Sequence, residues 1–66
     1  MKITFKCKQD PRHANITFHK EDDLLVISSN DGDTFSDVFL NEQDLFLLIG
    51  QLLRIQSEIR KGGEDV

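Results

Sequence analysis

Apolar and polar residues alternate along the first eight positions. Ile3, Phe5 and Cys7 fall on one side, and Lys2, Thr4, Lys6 and Lys8 on the other. A period of two predicts a half-buried strand. Gln9-Asp10-Pro11-Arg12-His13 breaks the pattern, because Pro11 cannot donate to a ladder and disfavours helix at Asp10. Alternation resumes with Ala14, Ile16 and Phe18 against Asn15, Thr17 and His19, a second half-buried strand. The short link predicts an antiparallel hairpin.

Lys20-Glu21-Asp22-Asp23 reads as the next turn, followed by a short apolar strand over Leu24–Ser28. Asn30-Asp31-Gly32-Asp33 is the best turn signal in the chain, since Asp-Gly accepts the positive φ of a tight hairpin. Thr34–Leu40 is the fourth strand. A two-residue Asp31-Gly32 turn would set Leu25 opposite Val38 and Leu24 opposite Phe39. One face of this hairpin then carries Leu25, Ile27, Val38 and Leu40. The other carries Leu24, Val26, Phe35 and Phe39, with Asp37 among them. Both faces are apolar, and one helix covers only one face of a sheet, so the second face calls for a bulge or a covering molecule.

The period lengthens to that of a helix over Asn41–Lys61. Asn41 suits the N-cap, with Asp44 three residues on, and Leu40 and Leu45 are placed for a hydrophobic staple. Glu42 and Asp44 complement the positive end of the dipole, Arg60 and Lys61 the negative end. Gly62-Gly63 is expected to stop the helix, leaving residues 62–66 as a frayed tail. At 100° per residue, Leu45, Leu48, Ile49, Leu52, Ile55 and Ile59 form the core stripe. Phe46 and Leu53 widen the arc beside Gly50 and Ser57, to about half the helix. Gly50 sits mid-helix, either to avoid a clash with the chain's own sheet or to let another helix or sheet approach closely.

The pattern therefore predicts an α+β domain over residues 1–61: a four-stranded, mainly antiparallel meander (ββββα) with one C-terminal helix packed across one face. Its expected core is Ile3, Phe5, Ile16, Phe18, Leu25, Ile27, Leu45, Ile49, Leu52 and Ile59.

Size changes this picture. The chain has 66 residues and a single cysteine. Chains this short bury about 60% of their unfolded surface and usually need disulfides, a metal or association. Cys7 alone cannot form an internal disulfide, which fits a reducing, cytoplasmic setting. The start of the chain has no basic-then-apolar signal pattern, and the longest apolar run is Leu45–Ile49, so neither export nor a membrane role is expected. Two uncovered apolar surfaces on so short a chain predict a homodimer or a higher even oligomer. Its interface is expected among Leu24, Val26, Phe35, Phe39, Phe46, Gly50 and Leu53.

Charge adds an asymmetry to a net −4. Lys2, Lys6, Lys8, Arg12 and Lys20 make the first twenty residues basic. Glu21, Asp22, Asp23, Asp31, Asp33, Asp37, Glu42 and Asp44 follow with no base among them. Overall acidity and the lack of Trp and Tyr speak against direct nucleic-acid binding. The basic hairpin reads first as a soluble sheet surface, and otherwise as a small anion site at Lys6, Lys8 and Arg12. The acidic stretch reads as solvated turns, or as a docking face for a basic protein.

Catalytic and metal patterns fail on spacing. Cys7 and His19 are expected on opposite faces, with no fourth ligand to complete a zinc site. Counting back from Gly32 puts Ile27 and Val38 at the end positions of a calcium loop, where oxygen ligands are required. No serine stands beside a base in a recognisable context, no phosphate loop is present, and no cofactor is expected. The expected function is thus non-catalytic: a small acidic self-associating protein that acts by binding another protein. Its size suits an inhibitor or accessory factor of the kind viruses, including phages, and mobile elements encode. The alternative is an oligomer that binds or sequesters a small anionic metabolite or signalling nucleotide.

Overall fold

A computed structural model describes the backbone of residues 1–64 and the side chains of residues 1–62. Four strands, β1 (Lys2–Lys6), β2 (Asn15–Glu21), β3 (Leu24–Asn30) and β4 (Phe35–Leu40), precede one helix, α1 (Glu42–Glu64). The strands form one open antiparallel sheet in the order β1-β2-β3-β4, so the chain is an α+β protein of ββββα order.

Each connection has a local cause. In the β1–β2 link, the Asp10 carbonyl accepts from the amides of His13 and Ala14, with Pro11 pre-set for the turn, and Cys7 N–H bonds to Ala14. The β2–β3 hairpin is tight: Glu21 pairs with Leu24, and Asp22 takes a left-handed φ of 55°. The β3–β4 turn is built around Asp31. Its Oδ1 accepts from the amides of Asp33 and Thr34, while Asn30 Oδ1 accepts from Gly32 N–H. Gly32 supplies a φ of +100°.

This turn corrects the expected register. Four residues, Asp31 to Thr34, span the turn, so Leu25 pairs with Leu40 and Val26 with Phe39. The carboxylate of Asp31 binds across to Thr34 and so holds the wider loop. The shift relative to a two-residue turn is two positions, an even number, and every side chain keeps its face.

The register sets up cross-strand rows. On one face Ile3, Phe18, Ile27 and Val38 line up across all four strands, with Phe5, Ile16, Leu25 and Leu40 beside them. Phe5 and Phe18 meet edge to face, their centroids 6.1 Å apart. The opposite face carries the polar row Thr4, Thr17, Ser28 and Asp37, and the row Lys2, His19, Val26 and Phe39.

Helix α1 begins where expected. Asn41 Oδ1 accepts from the Asp44 amide at 2.8 Å, the N-cap geometry. It does not stop at Gly62-Gly63 but runs to Glu64. Gly62 keeps a negative φ, so the left-handed conformation that ends a helix at glycine is not adopted there. Of the expected tail, Asp65 and Val66 lie outside the described residues.

The expected core does not close within one chain. No Cα of α1 comes within 8 Å of β1 or β2; the helix meets only β3 and β4. Val26, 1% exposed, is the one buried side chain among the described residues. Ile16, Phe18, Leu25, Ile27 and Leu45 are half-buried, whereas Ile3, Phe5, Ile49, Leu52 and Ile59 are exposed. The helix leaves the sheet after its first turns. Along its inner stripe Leu45 and Leu48 are sheltered, then exposure climbs from Leu52 (48%) through Ile55 (54%) to Ile59 (69%).

Candidate functional site

The dominant surface feature follows from that geometry. The chain exposes 5935 Å². A compact protein of 7.6 kDa should expose about 4,300 Å². The excess is about 1,600 Å² for one chain, in the range that obligate interfaces bury per subunit. The radius of gyration, 14.1 Å, likewise exceeds the ~11 Å of a compact chain of this length. A span of 23 helical residues reaches about 35 Å, far beyond the two strands that support it.

Of the residues expected at an interface, Phe35, Phe39, Phe46 and Leu53 are exposed and Leu24 is half-buried. Val26 is corrected: it is sealed inside the chain and has no surface to offer. Gly50 is exposed, and a Cβ built there meets nothing within 4 Å. The first explanation for this glycine, avoidance of the chain's own sheet, therefore fails. Its cost in a helix, roughly 1 kcal/mol relative to Ala, has no cause within one chain.

Sequence reasoning placed the apolar demand on the β3–β4 hairpin and one side of the helix. The structure adds the row Ile3, Phe18, Ile27 and Val38 with Phe5, none of it buried. All of these but Val38 were assigned to the core, and period-two alternation cannot tell a face covered by its own helix from one left for another molecule.

The basic residues are less concentrated. Lys6 borders an open depression at the end of the sheet away from the helix, with Phe5, Asn15, Ser29, Thr34 and Ser36. Lys8 and Arg12 are exposed in the β1–β2 link and do not line it. Asp31 borders the same depression. Hydrogen bonds from the Thr34 and Asp33 amides and the Thr34 hydroxyl hold its carboxyl below the usual carboxylate range. That negative charge opposes an anion beside Lys6.

Sequence reasoning missed a second hollow, on the polar face, bordered by Lys2, Thr17, His19, Ser28 and Asp37. His19 Nε2 lies 3.8 Å from Glu21 Oε2, and its Nδ1 is buried without a hydrogen-bond partner. The cross-strand row Thr4–Thr17–Ser28–Asp37 would have revealed the hollow, but only once all three registers were known. Cys7 and His19 lie on opposite faces of the sheet. Among the described residues no three His, Cys, Asp or Glu side chains are grouped to hold a metal ion, and no helix is long and apolar enough to cross a membrane.

The chain matches no known family model, no curated protein and no solved structure.

Proposed function

We propose that this chain is a self-associating, non-catalytic binding protein that acts through contact with another protein. The observation that supports this most is the surface excess of about 1,600 Å² around a single buried side chain among the described residues. Folding must offset the conformational entropy of the whole chain, and one closed valine contributes only about 2 kcal/mol of burial. A second copy of the chain is the most economical cover, because each copy brings both an open sheet face and an overhanging helix. The acidic stretch from Glu21 to Asp44, exposed in its two turns and at the helix start, supports a basic partner for the assembled protein. Sedimentation equilibrium at micromolar concentration tests the association: a mass near 7.6 kDa overturns it.

A second reading rests on Lys6. Its depression carries the hydroxyls of Ser29 and Ser36 and the amide of Asn15, donors that suit a small phosphate-bearing ligand. Reversing Lys6 and Lys8 together to glutamate should abolish binding of such a ligand and leave the fold intact. Undiminished affinity by calorimetry places that site elsewhere.

A further inference from the structure

The side of the helix flanking its sheltered stripe carries a pattern of its own. Phe46, Gly50, Leu53 and Ser57 are spaced four, three and four apart, which puts them in one line along α1. Large and small residues alternate along that line. Phe46 is 73% exposed, Leu53 is 60% exposed, and Gly50 has open space above it. Two copies of this line laid antiparallel about a two-fold axis between Gln51 and Leu52 bring unlike sizes together. Phe46 comes level with Ser57 of the partner subunit, and Leu53 with Gly50 of the partner subunit.

Charge selects the same direction. The helix starts with Glu42 and Asp44 and its last turns carry Arg60 and Lys61. In that register Glu42 comes level with Lys61 of the partner subunit. The two helix dipoles oppose one another as well, which favours antiparallel pairing. A parallel pair would set acid against acid and base against base.

We propose that α1 docks against α1 of a second copy in this antiparallel register, with Leu53 seated over the partner's Gly50 and Phe46 over the partner's Ser57. The proposal rests on the self-association reading and specifies its contact. A missing side chain at Gly50 then has a cause, since it admits the partner helix at close range. The sheet row Ile3–Phe18–Ile27–Val38 is left open by this pairing, available to further copies or to a protein partner.

Pulsed electron-spin distance measurement tests it, with a spin label on Lys61→Cys in a Cys7→Ala background. Nineteen residues separate the levels of the two labels in an antiparallel pair, so the expected distance is about 30 Å. A distance near 10 Å signifies a parallel pair and overturns the proposal. An associated mass with no label–label coupling overturns it too, but leaves self-association standing. A monomer mass in the same samples overturns both. Gly50→Leu supplies an independent check, because Gly50 is exposed, a Cβ there meets nothing within 4 Å of its own chain, and leucine favours the helix. It should weaken association at least tenfold while far-UV circular dichroism holds or gains helix. Unchanged association in that variant overturns the docking.

Discussion

Dilution is the sharpest perturbation of this protein. If the native state is a dimer, unfolding releases two chains, and its midpoint must fall with concentration. Two chains of 66 residues carry an unfolding entropy of about 0.28 kcal/mol/K near 60 °C, at ~2.1 cal/mol/K per residue. A tenfold dilution lowers the stability of a dimer by about 1.4 kcal/mol. The ratio gives a fall in Tm of about 5 °C per decade, or about 10 °C between 100 and 1 μM. Circular dichroism at 222 nm in cells of different path length reads this directly, and it reports on α1, the element least supported by its own chain. The size of the effect follows from the structure: a fold with one buried side chain among its described residues has little stability to fall back on when its cover dissociates. A Tm that stays constant over that range, with a sharp transition throughout, would refute the reasoning. It would mean that the half-buried sheet face and the first turns of α1 suffice to hold one chain folded.

Three further outcomes follow from local geometry. Asn41→Ala removes the side chain that accepts the Asp44 amide, and should cost about 1 kcal/mol, lowering Tm by several degrees at fixed concentration. Gly32→Ala should cost at least ~1 kcal/mol, because φ is +100° and the new Cβ would lie 3.1 Å from His13 Cβ; an unchanged denaturation curve would show that the β3–β4 turn is built differently. Asp31 has its carboxyl pKa lowered in the folded state by the amides of Thr34 and Asp33. Its contribution is therefore present above the ordinary aspartate value and is lost as pH falls through the lower folded-state value. NMR titration should find Asp31 protonating below the ordinary aspartate value, and Asp31→Asn should flatten that part of the acid limb of stability.

The elements were legible because each rests on near-neighbour chemistry. Alternation in residues 2–6 and 15–19, the Asn-Asp-Gly-Asp turn and the Asn41 cap all act over a few residues, and all lie where the pattern put them. The register of the second hairpin was missed by two positions. Two residues of Asp-Gly suffice for a turn, but the Asp31 carboxylate, bonded to Asp33 and Thr34, holds a loop of four. Because the error was even, the facial sorting survived it. The end of α1 was missed for a different reason: glycine permits a left-handed stop without enforcing one.

Burial is where local pattern loses its authority. Ile3, Phe5, Ile49, Leu52 and Ile59 carry the correct period for a core and are exposed, while Val26, on the face expected to await a partner, is the side chain that closes. Periodicity assigns a residue to a face; what covers that face depends on where the next element travels. Asn41, the single residue between β4 and α1, launches a helix that meets only β3 and β4. By itself, then, the sequence determined the elements, their order and the sorting of side chains, since these follow from backbone geometry and hydrogen bonding over short range. Only the tertiary structure decided that the helix overhangs its sheet and leaves the apolar row uncovered, because the path of a long helix is a property of the whole packed chain.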